Sequence, residues 1–259
     1  MAALTDSWEL AHRNIEIWGT VISISIPKRD FRENEFNEAC KEATNYYQDI
    51  DRIFSTFKAD SEVSKIRNET LVVADACPEV KIVWNKCLEL RDITRRAFDP
   101  WAVEGGFDPS GYVKGWAAQE SLKFFASRGF NRIQINAGGD IVLRGGYEEN
   151  RPWVVGIRHP DNAEQIAKSY EIFDGAIASS GTYERGAHII DPRVKVPAVG
   201  ARAATVIGPD AGIADALATA LIVDGRDAIT WLADPTLRNY QFWAVDKYGD
   251  SAWSYQNPE

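Results

Sequence analysis

Residues 132–144 read RIQINAGGDIVLR, and here the chain changes its period. Before this stretch apolar side chains recur every three or four positions; after it they alternate. Residues 132–136 and 140–144 predict two strands separated by a glycine pair. Upstream, residues 31–54 set Phe36, Ala39, Cys40, Ala43, Tyr46, Tyr47, Ile50, Ile53 and Phe54 on one stripe, which predicts a long amphipathic helix with Cys40 in the core. A second helix is expected over 78–96, with Pro78 in its first turn, and a third over about 112–127. Downstream, strands are expected at 153–157, 169–173 and 203–207, helices at 211–223 and 225–233, and a strand pair at 240–245 and 251–255. Near the start, residues 15–26 (IEIWGTVISISI) read as one strand, with Gly19 a bulge or close-approach point. Helices in runs and strands in runs indicate an α+β fold rather than alternating βαβ units.

The chain has 259 residues, enough for one large domain without disulfide staples. Lys and Arg number 29 against 38 Asp and Glu, a net charge of −9. That excludes the basic face of a sequence-independent nucleic-acid binder. An anionic small molecule is still admissible if a metal or a helix N-terminus supplies positive charge locally. Cys40, Cys77 and Cys87 show no metal-type spacing, so neither a disulfide framework nor a zinc site is expected. No 18-residue apolar run occurs, so no membrane span is expected. The first residues lack a basic segment followed by an apolar one, so neither a secretory leader nor a lipid anchor is expected, and the expected compartment is the cytoplasm.

Four stretches hold candidate chemistry. Asp108-Pro109-Ser110-Gly111 is turn chemistry running into a helix, and Lys114 follows in the first turns. A helix start offers free N–H groups to a phosphate; a capped helix with a solvated lysine is the alternative. Gly138-Gly139 serves either a tight hairpin or a close backbone approach to a ligand. Residues 176–192 gather Ser179, Ser180, Gly181, Thr182, Tyr183 and His188. His188 is either a general base or simply a packed or solvent-facing imidazole. No Gly-x-Ser-x-Gly elbow supports a serine hydrolase. Asp215 and Thr219, four apart, project from one face of a helix of otherwise small apolar residues. They form either an exposed face or a buried partial site for a hard cation such as Mg²⁺.

Taken in order, these segments resemble the FAD:protein FMN transferase (ApbE) family. The matching stretches are Gly19-Thr20, Asp51 to Phe57 with Asp60 to Ile66, Ala97-Phe98-Asp99-Pro100, Asp108 to Gly115, Asn136 to Ile141, Ala178 to Tyr183, His188 to Pro192, and Ala214 to Ala220. The resemblance implies one ApbE-like α+β domain over 1–259, made of two packed subdomains. Mixed or antiparallel sheets would be flanked by helices, with the flavin site between the halves. It implies an enzyme that binds FAD as substrate with Mg²⁺, moves FMN onto a threonine or serine of a target flavoprotein, and releases AMP. By position, the family's metal ligands fall on the Gly111 carbonyl and the side chains of Asp215 and Thr219. Its flavin contacts fall on Trp18, Phe57, Ala97, Phe98, Asp99, Asp108, Lys114 and Ile189, and its base on His188. The other readings are an FAD pyrophosphatase yielding FMN and AMP, and a non-catalytic FAD-binding protein.

Three departures from the family pattern stand out. Trp18 replaces the usual Met before Gly-Thr. Only seven residues separate Pro100 from Asp108, so a peripheral lid is expected to be missing. Val194-Lys195 replaces the usual Thr-Gly after Asp191-Pro192.

Overall fold

The computed structural model describes residues 8–181, 189–248 and 251–257. In chain order the elements are β1 (Leu10–Ile17), β2 (Thr20–Pro27), α1 (Glu33–Phe54), α2 (Glu62–Arg67), α3 (Pro78–Ile93), α4 (Ser110–Glu120), α5 (Leu122–Ala126), β3 (Ile133–Ala137) and β4 (Asp140–Arg144). They continue with β5 (Trp153–His159), β6 (Asn162–Ile172), β7 (Gly175–Gly181), β8 (Ile190–Asp191), β9 (Val196–Pro197), β10 (Ala201–Gly208), α6 (Ala211–Asp224), α7 (Ile229–Leu232), β11 (Gln241–Asp246) and β12 (Ala252–Gln256). Eight strands form one sheet in the order β1-β2-β3-β4-β7-β10-β11-β12, with every neighbouring pair antiparallel. The expected α+β class with an antiparallel sheet is what the chain adopts.

Alternation along the strands sorts side chains between two cores. Ile22, Ile24 and Ile26 of β2 and Ile133 and Ile135 of β3 face the helices, where they meet Phe36, Ala39, Ala43, Tyr47 and Ile50 of α1. The expected α1 stripe is therefore the buried one, and Cys40 lies within it. On the opposite face the β5–β6 hairpin folds back over the sheet, and Trp153, Val155 and Ile157 pack against Ile177, Ile207 and Trp243. Both faces of β10 are thus covered, and residues 203–207 are all buried. No helix among the described residues is long and apolar enough to cross a membrane.

Several boundaries differ from expectation for local reasons. The expected strand at 15–26 is a hairpin: β1 and β2 pair across a two-residue turn, Ile17 opposite Thr20. Both turn residues have positive φ, 56° at Trp18 and 67° at Gly19, as this tight turn requires. Gly19 is therefore a turn residue, not a bulge. The helix expected over 112–127 is divided at Ser121, whose hydroxyl donates to the Ala118 carbonyl (2.7 Å) and also meets the Tyr47 hydroxyl (2.7 Å). A side chain that competes for the preceding turn's carbonyl weakens a helix there. The strand expected at 169–173 begins at Asn162, and residues 225–233 hold a short 3-10 turn before α7. β7 occupies residues read from the sequence only as a chemistry-bearing segment.

Candidate active-site cleft

One end of the sheet collects the β1–β2 turn, the β3–β4 turn and the C-terminal end of β7. Helices α1, α4 and α6 reach this end from one face. Between them lies a cleft of about 860 Å³. Its lining includes Trp18, Phe57, Ala97, Phe98, Asp99, Asp108, Gly111, Lys114, Ile189, Asp215 and Thr219. These are all the site residues expected from the sequence except His188, which lies outside the described residues.

The α4–α6 crossing sets the floor. Gly115 makes it possible, because a Cβ there would stand 2.4 Å from the Ala211 carbonyl oxygen. Gly212 faces the Tyr112 ring equally closely, a Cβ there lying 2.7 Å from it. This contact brings Gly111 beside Thr219: a Cβ on Gly111 would be 3.9 Å from Thr219 Oγ1 and 3.3 Å from the Phe98 ring. Asp108 Oδ1 accepts from the Ser110 N–H (3.0 Å), turning the chain into α4. Asp210 caps α6 by accepting from the Ile213 N–H (2.8 Å).

α6 is apolar nearly all round and buried, as its composition indicated, so the exposed-face reading of Asp215 does not hold. Asp215 is only 7% exposed. Burial pushes its carboxyl above the usual carboxylate range, and Lys114, with Nζ 3.5 Å away, pulls it back. The same ammonium makes an ion pair with Asp140, which is 2% exposed. Asp140 was missed from the sequence. Its signal was indirect: a lysine near a helix N-terminus opposes the dipole and wants a carboxylate nearby.

Two buried carboxylates, Asp140 and Asp215, thus share the one ammonium of Lys114. Thr219, one turn on from Asp215, has Ser180 Oγ 3.5 Å from its Oγ1 and Gly111 beside it. Among the described residues no three His, Cys, Asp or Glu side chains form a closed metal cage. One carboxylate with neutral oxygens and an open side suits Mg²⁺, which takes few protein ligands and completes its shell with water and phosphate. The residues fit such an ion.

The rest of the lining is scaffolded by short hydrogen bonds. Asp51 pairs with Lys58 (2.6 Å), and Ser61 donates to the Ser55 carbonyl (2.7 Å) while capping α2 through the Ser64 N–H (2.9 Å). The Asp51–Phe57 and Asp60–Ile66 stretches are thereby one knit loop. At its tip Phe57 is 98% exposed on the cleft rim. Trp18 stands opposite, edge-on to Tyr47 at 5.3 Å, held by a backbone conformation that a bulky residue rarely adopts. Asp99 lines the cleft, but its carboxylate is engaged by Arg91 (3.2 Å), Arg96 (3.0 Å) and the Trp101 N–H (3.1 Å). It therefore fixes the Ala97–Pro100 turn. Gly138 turns the β3–β4 hairpin, as the hairpin reading expects, and lines the cleft against Thr20. The short segment after Pro100 is pinned by Arg67 to the Glu104 and Gly105 carbonyls (2.6 and 3.0 Å) and by Lys195 to the Ala102 carbonyl.

Solved structures share this architecture. The flavin transferase ApbE of Vibrio cholerae superposes with a TM-score of 0.80 at 20% identity, covering 96% of this chain and 97% of that one. The ApbE protein of Thermotoga maritima gives 0.80 at 21% identity over the same shares. In sequence, an FAD:protein FMN transferase of Rhodobacter capsulatus is 30% identical over 179 residues, 66% of this chain and 33% of the relative. One of Escherichia coli K12 is 29% identical over 164 residues, 59% of this chain and 46% of the relative. The alignments thus span a third to under half of these relatives' lengths. The ApbE family profile matches residues 18–104 and 102–242, and on that extent the chain belongs to the ApbE family.

Proposed function

We propose that the protein transfers the FMN half of FAD to a threonine or serine hydroxyl of a target flavoprotein, with Mg²⁺, releasing AMP. The observation that supports this furthest is the convergence in one cleft of Gly111, Lys114, Asp215 and Thr219 with two aromatic rings at the rim. An acidic protein needs such a local gathering of donors and cation to hold a dianionic diphosphate. Mg²⁺, held by Asp215, Thr219 and the Gly111 carbonyl, would neutralise charge on the phosphoryl oxygens.

The residues divide the remaining work. Lys114 and the start of α4 face the diphosphate and orient it for in-line attack, since phosphoryl transfer asks mainly for positioning and charge stabilisation. The acceptor oxygen bonds to the FMN phosphorus, the bond to the bridging oxygen breaks, and AMP leaves with that oxygen. His188 takes the hydroxyl proton. Trp18 and Phe57 offer faces to the rings of FAD.

Two predictions follow from these roles. His188→Asn is expected to leave the FAD dissociation constant within about two-fold while turnover falls roughly 10²–10⁴-fold, the usual worth of a general base. Lost FAD binding, or parental turnover, contradicts that role. Phe57→Ala is expected to weaken FAD binding about ten-fold, the scale of one stacking contact, with an unchanged melting temperature because the residue is almost fully exposed. Flavin fluorescence quenching and a thermal melt check both halves; unchanged affinity removes Phe57 from the site.

The function itself is tested by mixing the protein with FAD, Mg²⁺ and a threonine-bearing flavoprotein fragment. Equal amounts of AMP and protein-bound flavin are expected, and both are lost in EDTA. AMP without labelled protein indicates a hydrolase. Retained FAD with neither product indicates a binding protein. Either outcome overturns the proposal.

A further inference from the structure

Lys114 is shared between two carboxylates that are not equivalent. Asp140 is in ion-pair contact with its ammonium, whereas Asp215 stands 3.5 Å away. Asp140 is the first residue of β4 and is buried. It pairs with Ala137 across the hairpin, and the turn between them is fixed by the Asn136 side chain, which accepts from the Gly139 N–H at 2.9 Å. Gly138 lies beside Thr20, a Cβ there meeting Thr20 Oγ1 at 2.7 Å, so only glycine fits the turn at that point. The Lys114 side chain, on a flexible stem and 28% exposed, is the movable partner. A carboxylate already closed onto an ammonium is a poor ligand for a second cation, because the two cations repel.

We propose that Asp140 is a positioning residue that holds the Lys114 ammonium off Asp215, leaving Asp215 open to a divalent cation and Lys114 turned toward the diphosphate. This rests on the reading of Asp215 as a metal ligand. It explains why a buried aspartate that does not line the cleft accompanies a lysine placed against its own helix dipole.

The test uses Mn²⁺ as the probe on the full chain, with its dissociation constant measured by titration calorimetry for the parent, Asp140→Asn and Asp140→Glu. In Asp140→Asn the ammonium keeps Asp215 as its one anionic partner among the described residues. A metal-free crystal structure is expected to show it closed onto Asp215, with Mn²⁺ affinity weakened roughly ten-fold, the scale of one partly buried Coulomb contact. Asp140→Glu keeps the charge but moves the carboxylate out by one methylene. Positioning predicts a weakening in the same direction, whereas a mere counter-charge predicts none. The glutamate variant also carries the test if the asparagine variant does not fold. An ammonium that stays in place, or parental Mn²⁺ affinity in the folded variants, overturns the proposal while leaving the metal reading intact. A parent chain that binds no Mn²⁺ overturns both.

Discussion

On the proposed function, Asp215→Ala is expected to reduce turnover by on the order of 10³-fold and abolish its dependence on Mg²⁺, because the several kcal/mol that a metal supplies to a phosphoryl transition state would depend on this proposed ligand. The fold should survive. Asp215 is desolvated and pushed toward its protonated form, so folding already works against its charge. Its removal leaves Lys114 still paired with Asp140 rather than stranded, which avoids the larger penalty of an uncompensated buried charge. A metal titration of turnover beside a thermal melt separates the two effects. A folded variant with parental turnover and parental Mg²⁺ dependence contradicts the assignment.

Gly115→Ala is expected to damage stability and function together. The added Cβ would stand 2.4 Å from the Ala211 carbonyl oxygen, 2.7 Å from its carbon and 3.0 Å from the Gly212 nitrogen. All three are backbone atoms, so neither helix can yield by turning a side chain, and α4 and α6 must separate. Overpacking of this kind costs about 1–3 kcal/mol, or roughly 2–10 °C in melting temperature for a chain of this size. The functional loss should be larger than the stability loss suggests. α4 carries Gly111 and Lys114, α6 carries Asp215 and Thr219, and a displacement of about 1 Å between reacting groups can lower turnover 10²-fold. Glu120→Ala, an exposed change on the same helix, is the control and should alter neither. Parental activity in Gly115→Ala would show that the crossing distance does not set the site.

What could be read from the sequence was whatever a local pattern encodes. The α1 stripe, the all-round apolar α6 and the paired glycines of β3–β4 each follow from spacing within one element. The missed features depend on partners distant in sequence or on a residue in an unfavoured conformation. Trp18 at φ 56° is a turn position that a tryptophan does not advertise. Ser121, where the helix is interrupted, also meets the hydroxyl of Tyr47, 74 residues away, a partner no local pattern shows. The outer part of β6, Asn162-Ala163-Glu164-Gln165-Ile166, lacks the alternation that marks a half-buried strand, since successive residues 164–167 are all exposed and neither face there is buried. Asp140 became recognisable only once Lys114 was seen beside it. Asp99 shows the converse: its sequence position leads to the cleft, but its carboxylate is engaged by Arg91 and Arg96.

The account turns on where the diphosphate and the cation sit, and a crystal structure with FAD and Mn²⁺ measures that directly. The expected anomalous peak lies about 2.1 Å from oxygens of Asp215 and Thr219, with the diphosphate beside Gly111 and the Lys114 ammonium, and an FAD ring against Trp18 or Phe57. Diphosphate density farther than a Debye length, about 8–10 Å, from Gly111 and Thr219, or a Mn²⁺ peak on other ligands, would contradict it.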